Sequence, residues 1–284
     1  MYTTRRDKPL DRITLAVLKA LHLIAAKHKA SYFIIGATAR DILMTHVFGI
    51  GAGRATRDVD FAIALKDWHR FEIIKKEFID CGDFQTAADE AHRLYYRPNE
   101  FGTAYPLDLI PFGGIEQPGN TIAWPPDMAV VMNVTGYAES LESAIQVDVG
   151  EGLIANVVSI PALAALKLLA WNDRGLLDNK DAQDLFFLLR HYHQAGNVDR
   201  LYAEAFSILE SCSYEIDFAG ATLLGYDTRL ILEQTTRQAL LDVLGDPVKR
   251  DRLVVHMDRS IAADSAIPSR FIDQFERGLG LANL

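Results

Sequence analysis

The sequence predicts an α+β fold: a mixed sheet flanked by helices, followed by an all-helical C-terminal domain. Short β-rich runs alternate with amphipathic helical stretches as far as about Ser159. From Pro161 onward the apolar spacing is helical throughout. Two runs, Tyr32–Ile35 and Val59–Leu65, are apolar and β-rich enough to be central strands. The change of pattern near Ser159 divides the chain into domains 1–158 and 159–284.

Taken in order, Leu10–Lys29 carries Ile13, Val17, Leu21, Ile24 and Ala25 at helical spacing and ends in a basic turn. It reads as an amphipathic helix packed on the sheet. After the Tyr32–Ile35 strand, Thr38 and Asp41 fit a capping box opening a helix that runs to about Phe48. Gly49–Thr56 is a glycine-rich loop. Beyond the Val59–Leu65 strand, Asp67–Asp80 is a second amphipathic helix. His92–Arg97 and Ala104–Pro111 read as paired strands joined around Pro98-Asn99. The turn-rich stretch GGIEQPGNTIAWPPD wraps a sheet edge, and a short helix near Glu139–Ala144 precedes strands near Gln146–Val149 and Ile154–Ser159. Helices are then expected at Pro161–Trp171, Lys180–Ala195, Val198–Ser211, Phe218–Leu224, Arg229–Leu244, Pro247–Arg259 and Ser269–Leu279.

Bulk properties narrow the function. The net charge is −9, and both halves are acidic: 16 Lys/Arg against 20 Asp/Glu up to residue 158, and 13 against 18 after it. Neither half has the basic excess of a protein that grips a long nucleic-acid backbone, although a small polyanion or a single RNA end remains compatible. Cys81 and Cys212 are isolated, which excludes a disulfide framework or a zinc ribbon. Charges at Asp11, Arg12 and Lys19 interrupt any signal-peptide segment, and the longest uncharged run, Gly152–Leu166, is too short to span a bilayer. A soluble, cytosolic protein with no membrane partner is expected.

The chemistry-bearing residues concentrate in Ser31–Leu65. Asp58 and Asp60 are one residue apart on a strand and so share a face, the arrangement of a ligand pair for hard cations such as Mg²⁺. A DxD pair is more often a pair of solvated turn acids. Here it lies in the apolar run VDFAIAL, where carboxylates are unfavourable unless cations or donors neutralise them. Gly36 stands at a strand-to-helix turn whose backbone N–H groups suit a phosphate. A phosphate cradle facing a divalent-metal site implies chemistry on a nucleoside triphosphate (NTP). Asp108 is a single acid inside the apolar run YPLDLI. Alone it is equally an edge-strand surface acid; beside the first pair it completes a two-metal site. Arg40 and Arg57 flank the phosphate region, and Arg40 is equally placed to pair with Asp41. Lys167, Trp171 and Arg174 share one helical face, a pattern a snorkelling lysine among core neighbours also produces.

Gly36-Ala37, Ala39-Arg40-Asp41, Asp58-Val59-Asp60 and a later strand acid resemble the nucleotidyltransferase superfamily related to DNA polymerase β. Asp108 with IPFGGIE, then Trp124-Pro125-Pro126, LKLLAWNDRG and NKDAQDL, look more specifically like the AbiEii/AbiGii-type nucleotidyltransferases, toxin components of bacterial toxin–antitoxin and phage-defence pairs. The resemblance covers about residues 30–195. It implies a nucleotidyltransferase-type mixed sheet and transfer of a nucleoside monophosphate from an NTP to a hydroxyl acceptor, an RNA 3′ end (such as a tRNA end) or a protein. It also implies two Mg²⁺ ions and a cognate antitoxin or regulator as partner.

On this resemblance Asp58, Asp60 and Asp108 are the catalytic metal ligands, and Gly36 and Ala37 receive phosphates with Arg40 and Arg57 beside them. Lys167 corresponds to a lysine that binds nucleotide phosphates in the family's active-site cleft. Lys180, Asp181 and Asp184 match a lysine/arginine–aspartate motif with a further aspartate in that family and join Arg174 as nucleotide-binding candidates, although Asp178 and Asp181 also suit the capping and charging of a helix N-terminus. The chain departs from the pattern at Ala37, where Ser or Gly is usual, so one hydroxyl contact to a phosphate is missing. The head GATARDIL…TRDVDFAI also resembles CCA-adding and poly(A)-polymerase-like enzymes, but their EDxxR-type nucleotide-selecting helix is absent. Antibiotic-modifying nucleotidyltransferases share the core as well. A catalytically silent binding module with the same fold is the reading from a different class.

Overall fold

The computed structural model describes residues 1–51, 58–88, 90–97, 103–176, 178–258 and 266–284. Two units divide the chain, Met1–Val158 and Ser159–Leu284. The first opens with strand β1 (Tyr2–Thr3) and helix α1 (Arg12–His28). Asp11 caps α1 by accepting from the N–H groups of Ile13 and Thr14, both at 3.0 Å, and Lys29 ends it in a left-handed conformation. Then come β2 (Tyr32–Ile35), α2 (Gly36–Arg40) continuing as a π-helical stretch over Asp41–Val47, β3 (Val59–Leu65) and α3 (Trp68–Asp80). Strands β4 (Phe84–Thr86), β5 (Arg93–Tyr96), β6 (Tyr105–Gly113), β7 (Thr121–Ala123) and β8 (Val131–Asn133) follow. Helix α4 (Tyr137–Glu142) and strands β9 (Ile145–Asp148) and β10 (Ile154–Val157) close the unit.

Eight strands form one mixed sheet in the order β1-β9-β10-β2-β3-β6-β5-β4. Strand β3 lies at its centre, antiparallel to β2 and parallel to β6. Strand β2 is buried along its whole length, as a run apolar on both faces requires. Because side chains alternate, the register sorts the central strands into two faces. On one face Phe33, Ala62, Ala64 and Phe112 come together, Phe33 and Phe112 edge to face at 5.7 Å, with Tyr137 of α4 beside both. On the other, Phe61 meets Phe78 of α3 at 6.2 Å, and Phe78 passes the contact to Phe84. Each such buried aromatic contributes about 1.5–3 kcal/mol by leaving water. The first face turns polar toward the start of β3, and this is where the site lies.

Several sequence expectations shift here. The capping box does not form: α2 begins at Gly36 without a side-chain cap, and Thr38 donates to the Asp58 carbonyl oxygen at 2.5 Å instead. The GGIEQPGNTIAWPPD stretch supplies β7, which pairs with β8 beyond it, and seats Trp124 against Trp68 and Phe71 of α3. The turn at Pro98-Asn99 and most of the Gly49–Thr56 loop lie outside the described residues.

The second unit is helical: α5 (Ile160–Arg174), α6 (Lys180–His191), α7 (Val198–Tyr202), α8 (Phe206–Ser211), α9 (Ile216–Ile231), α10 (Gln234–Gly245), α11 (Pro247–Met257) and α12 (Ala266–Gly280). Expected helix Val198–Ser211 is two short helices, and the break expected between Leu224 and Arg229 falls instead at Leu232–Glu233. Gly225 lies inside α9. It does not end the helix; it lets α9 meet α12 backbone to backbone. A Cβ at Gly225 would overlap the Phe275 carbonyl oxygen, and one at Gly278 would overlap that of Thr222 and lie 2.7 Å from the Tyr226 nitrogen. Gly278→Ala is therefore expected to destabilise the chain by about 3 kcal/mol through overpacking. Denaturant unfolding checks this against Gly245→Ala, where a Cβ meets nothing within 4 Å. Among the described residues no helix is long and apolar enough to cross a membrane.

Candidate active site

The polar end of the sheet is built by register. Ile35 of β2 pairs with Asp60 of β3, Asp60 with Asp108 of β6, and Asp108 with Arg93 of β5. Four adjacent strands thus place one row of side chains on a single face: apolar, acid, acid, base. Gly36 follows Ile35 directly. Its φ of +68° is a conformation in which glycine alone is unstrained, and a Cβ there would overlap Oδ2 of Asp60 and lie 2.9 Å from its Cγ. The missing side chain is what lets the Asp60 carboxylate lie against the turn that begins α2. Asp58 is exposed one residue ahead of β3, and its carbonyl oxygen, held by Thr38, ties the DxD segment to the same helix.

Asp108 is not alone on its strand. Arg93 meets it fork to fork, Nε donating to Oδ1 at 2.7 Å and Nη2 to Oδ2 at 2.8 Å, while Nη1 reaches Glu90 at 2.8 Å. The Asp108 hydrogen bonds raise the Arg93 pKa, so this cation keeps its charge. Donor atoms of Glu90, His92 and Asp108 lie within 4.8 Å of one another. Glu90, His92 and Arg93 were missed by sequence reasoning. The signal was a basic residue in the strand paired with the Asp108 strand, readable only with the correct register.

Arg40 points inward. Its side chain is 2% exposed, and Nε and Nη2 both donate to Oδ1 of Asp41, at 2.8 and 2.6 Å. Ala37 lies in the first turn of α2, and Arg57 is outside the described residues.

The other sequence-predicted residues belong to the second unit. Lys167 of α5 is buried, its ammonium 2.9 Å from Asp181 and 2.7 Å from Asp184 of α6. Arg174, 58% exposed at its side chain, holds the second oxygen of Asp181 at 2.7 Å. Asp181 and Asp184 sit three apart on α6, so both face one lysine. Burial is the strongest influence on Lys167 and Asp181 and disfavours both charges; the partners outweigh it. Lys167 is raised above its ordinary value, and Lys167 with Arg174 brings Asp181 down to about 2. Lys180 is exposed and pairs with Asp178 at 2.7 Å.

A family model described as "Nucleotidyl transferase AbiEii toxin, Type IV TA system" matches residues 21–262. No curated protein matches the chain. Among solved structures, an antigenic nucleotidyltransferase-like protein from Paracoccidioides brasiliensis is similar at 15% identity over 72% of this chain and 93% of its own, with a TM-score of 0.42. The antibiotic-resistance factor ANT(2″)-Ia is similar at 13% identity over 72% and 99%, TM-score 0.37. The CCA-adding enzyme of Thermotoga maritima, solved with tRNA, is similar at 11% identity over 96% and 82%, TM-score 0.27.

Proposed function

The chain belongs to the AbiEii nucleotidyltransferase toxin family and is a nucleotidyltransferase; on that premise we propose that it moves a nucleoside monophosphate from an NTP to a hydroxyl acceptor, in a Mg²⁺-dependent reaction centred on Asp60. The observation that carries this reading is the pairing of Asp60 with Asp108 beside Gly36, whose missing Cβ lets a carboxylate and a helix-opening turn share one point. The donor set fits the metal. Asp58, Asp60 and Asp108 offer only hard carboxylate oxygens, the donor type this cation prefers. Bound there, Mg²⁺ would neutralise triphosphate charge and make an acceptor hydroxyl easier to deprotonate.

The chain's own residues do the positioning. Gly36 and Ala37 open α2 toward the Asp60 side chain, and their N–H groups receive phosphate oxygens. Arg40, at the end of α2, is buried and donates to the neighbouring Asp41 carboxylate. On the family resemblance, Lys167, Arg174, Lys180, Asp181 and Asp184 contribute to nucleotide binding, with Arg174 and Lys180 as the exposed cations and Lys167 fixing the two aspartates. The rate comes chiefly from such placement and charge neutralisation. The acceptor is an RNA 3′ end or a protein, and the biological setting is the cytoplasmic toxin of a toxin–antitoxin pair with its antitoxin as partner. Incubation of the protein with each of the four α-labelled NTPs, Mg²⁺ and total cellular RNA and protein is expected to label one acceptor class, and to label nothing in the presence of EDTA. Unchanged labelling in EDTA overturns the metal dependence. Absence of any label with all four NTPs overturns the proposed transfer.

A further inference from the structure

The Asp108 carboxylate has two claimants. In the reading above it receives a divalent cation; in the structure both of its oxygens accept from Arg93. The pair is partly buried, with side-chain exposures of 23% for Arg93 and 13% for Asp108. Shielding of this degree, with fork geometry, makes it stronger than a surface ion pair. Arg93 also has a second anchor, because Nη1 is already 2.8 Å from Glu90. The guanidinium can therefore surrender Asp108 and stay charged and partnered on Glu90. A metal on Asp108 with Arg93 still in the fork would place two cations on one carboxylate, which is unfavourable at this separation.

We infer that Arg93 is a positioning residue of this site which holds Asp108 in competition with the divalent metal and passes to Glu90 when the metal takes that carboxylate. Nothing in the family match assigns Arg93 or Glu90. The inference rests on the metal-dependent reading and adds a device that sets how much metal the enzyme needs. The coupling is reciprocal: by whatever factor Arg93 weakens metal binding, metal weakens the Arg93 fork.

The direction of the effect separates this role from a structural one. A residue that merely braced Asp108 for the metal would weaken metal binding when removed; a competitor strengthens it. The test is Mn²⁺ binding to the full chain without nucleotide, read from the free-ion EPR signal. Arg93→Gln is expected to bind Mn²⁺ about fivefold more tightly than wild type, as loss of a competing ion pair of this kind allows. Adding Asp108→Asn to Arg93→Gln is expected to erase the gain. Arg93→Lys, which keeps the charge and loses the fork, is expected to fall between wild type and Arg93→Gln, and it serves alone should the glutamine variant not fold by circular dichroism. Asp60→Asn separates the two levels of failure. If wild type binds no Mn²⁺, or Asp60→Asn binds it equally well, the metal reading falls and the inference with it. If Asp60→Asn weakens binding while the Arg93 variants bind no more tightly than wild type, only the inference falls.

Discussion

Asp60→Asn is expected to lower nucleotidyl transfer by roughly a thousandfold, the scale of losing a central charge-stabilising group in an active site. Its fold is expected to survive. Asparagine has nearly the same shape, fits the space Gly36 leaves, and removes one of two acids paired across β3 and β6. Unfolding free energy should therefore stay within about 0.5 kcal/mol of wild type. Single-turnover incorporation from an α-labelled NTP, alongside denaturant unfolding of the same preparation, checks both halves. A variant that keeps a tenth of wild-type activity would remove Asp60 from the centre of the reaction. One that loses activity only by unfolding would make the carboxylate structural.

The second large effect is on stability. Lys167→Met leaves Asp184 and one oxygen of Asp181 buried without their cation, which should cost about 3–5 kcal/mol. The pH dependence identifies the cause. In the native chain Asp181 titrates at about 2, below its ordinary 3.8. Its contribution, roughly 2 kcal/mol, is complete above the unfolded value and is lost as pH falls from about 4 toward 2. Lys167 is shifted upward, so its contribution is complete below its ordinary 10.5 and lost only as pH rises through the folded value. Between those limits neither Asp181 nor Lys167 adds pH dependence. In Lys167→Met, Asp181 keeps Arg174 but loses its buried cation, so less stability should be lost as pH falls from about 4 toward 2 than in the native chain. Unfolding midpoints across that range decide it, and an unchanged acid-end loss would show that Lys167 does not hold Asp181 down. The compensated variant Lys167→Met with Asp181→Asn and Asp184→Asn should recover most of the loss, because no buried charge remains. It also isolates the proposed nucleotide role. Wild-type NTP affinity in that variant would confine Lys167 to the fold.

Much of the first unit was legible because its signals are local. Val59–Leu65 is a strand because β-branched and aromatic residues alternate with small ones, and its bounds were readable from the run alone. Gly36 could be placed at a turn because it follows four apolar residues and precedes helix formers. The capping box was a false local signal: Thr38 has the right spacing, but the chain enters the helix two residues earlier and the hydroxyl goes to Asp58. Gly225 is a contrasting case. Glycine disfavours a helix by about 1 kcal/mol, which suggests a break, yet the approach of α12 more than repays that penalty.

Arg93 shows where local reading ends. A hairpin centred on Pro98-Asn99 would set Arg93 opposite Ala104, whereas the observed register sets it opposite Asp108. A shift of four residues keeps every side chain on its original face, so the hydrophobic pattern cannot tell the two registers apart. The α+β order, the acids of the central strand, the glycine turn and the change to helices after Ser159 are each written in periodicity over a few neighbouring residues. That Asp108 faces Arg93, that Arg40 turns inward and that Lys167 is enclosed by Asp181 and Asp184 emerges from the folded chain. Those are pairings between distant segments. Register, burial and the competition of several acids for one cation settle them, and none of these has a signature within a single stretch of chain.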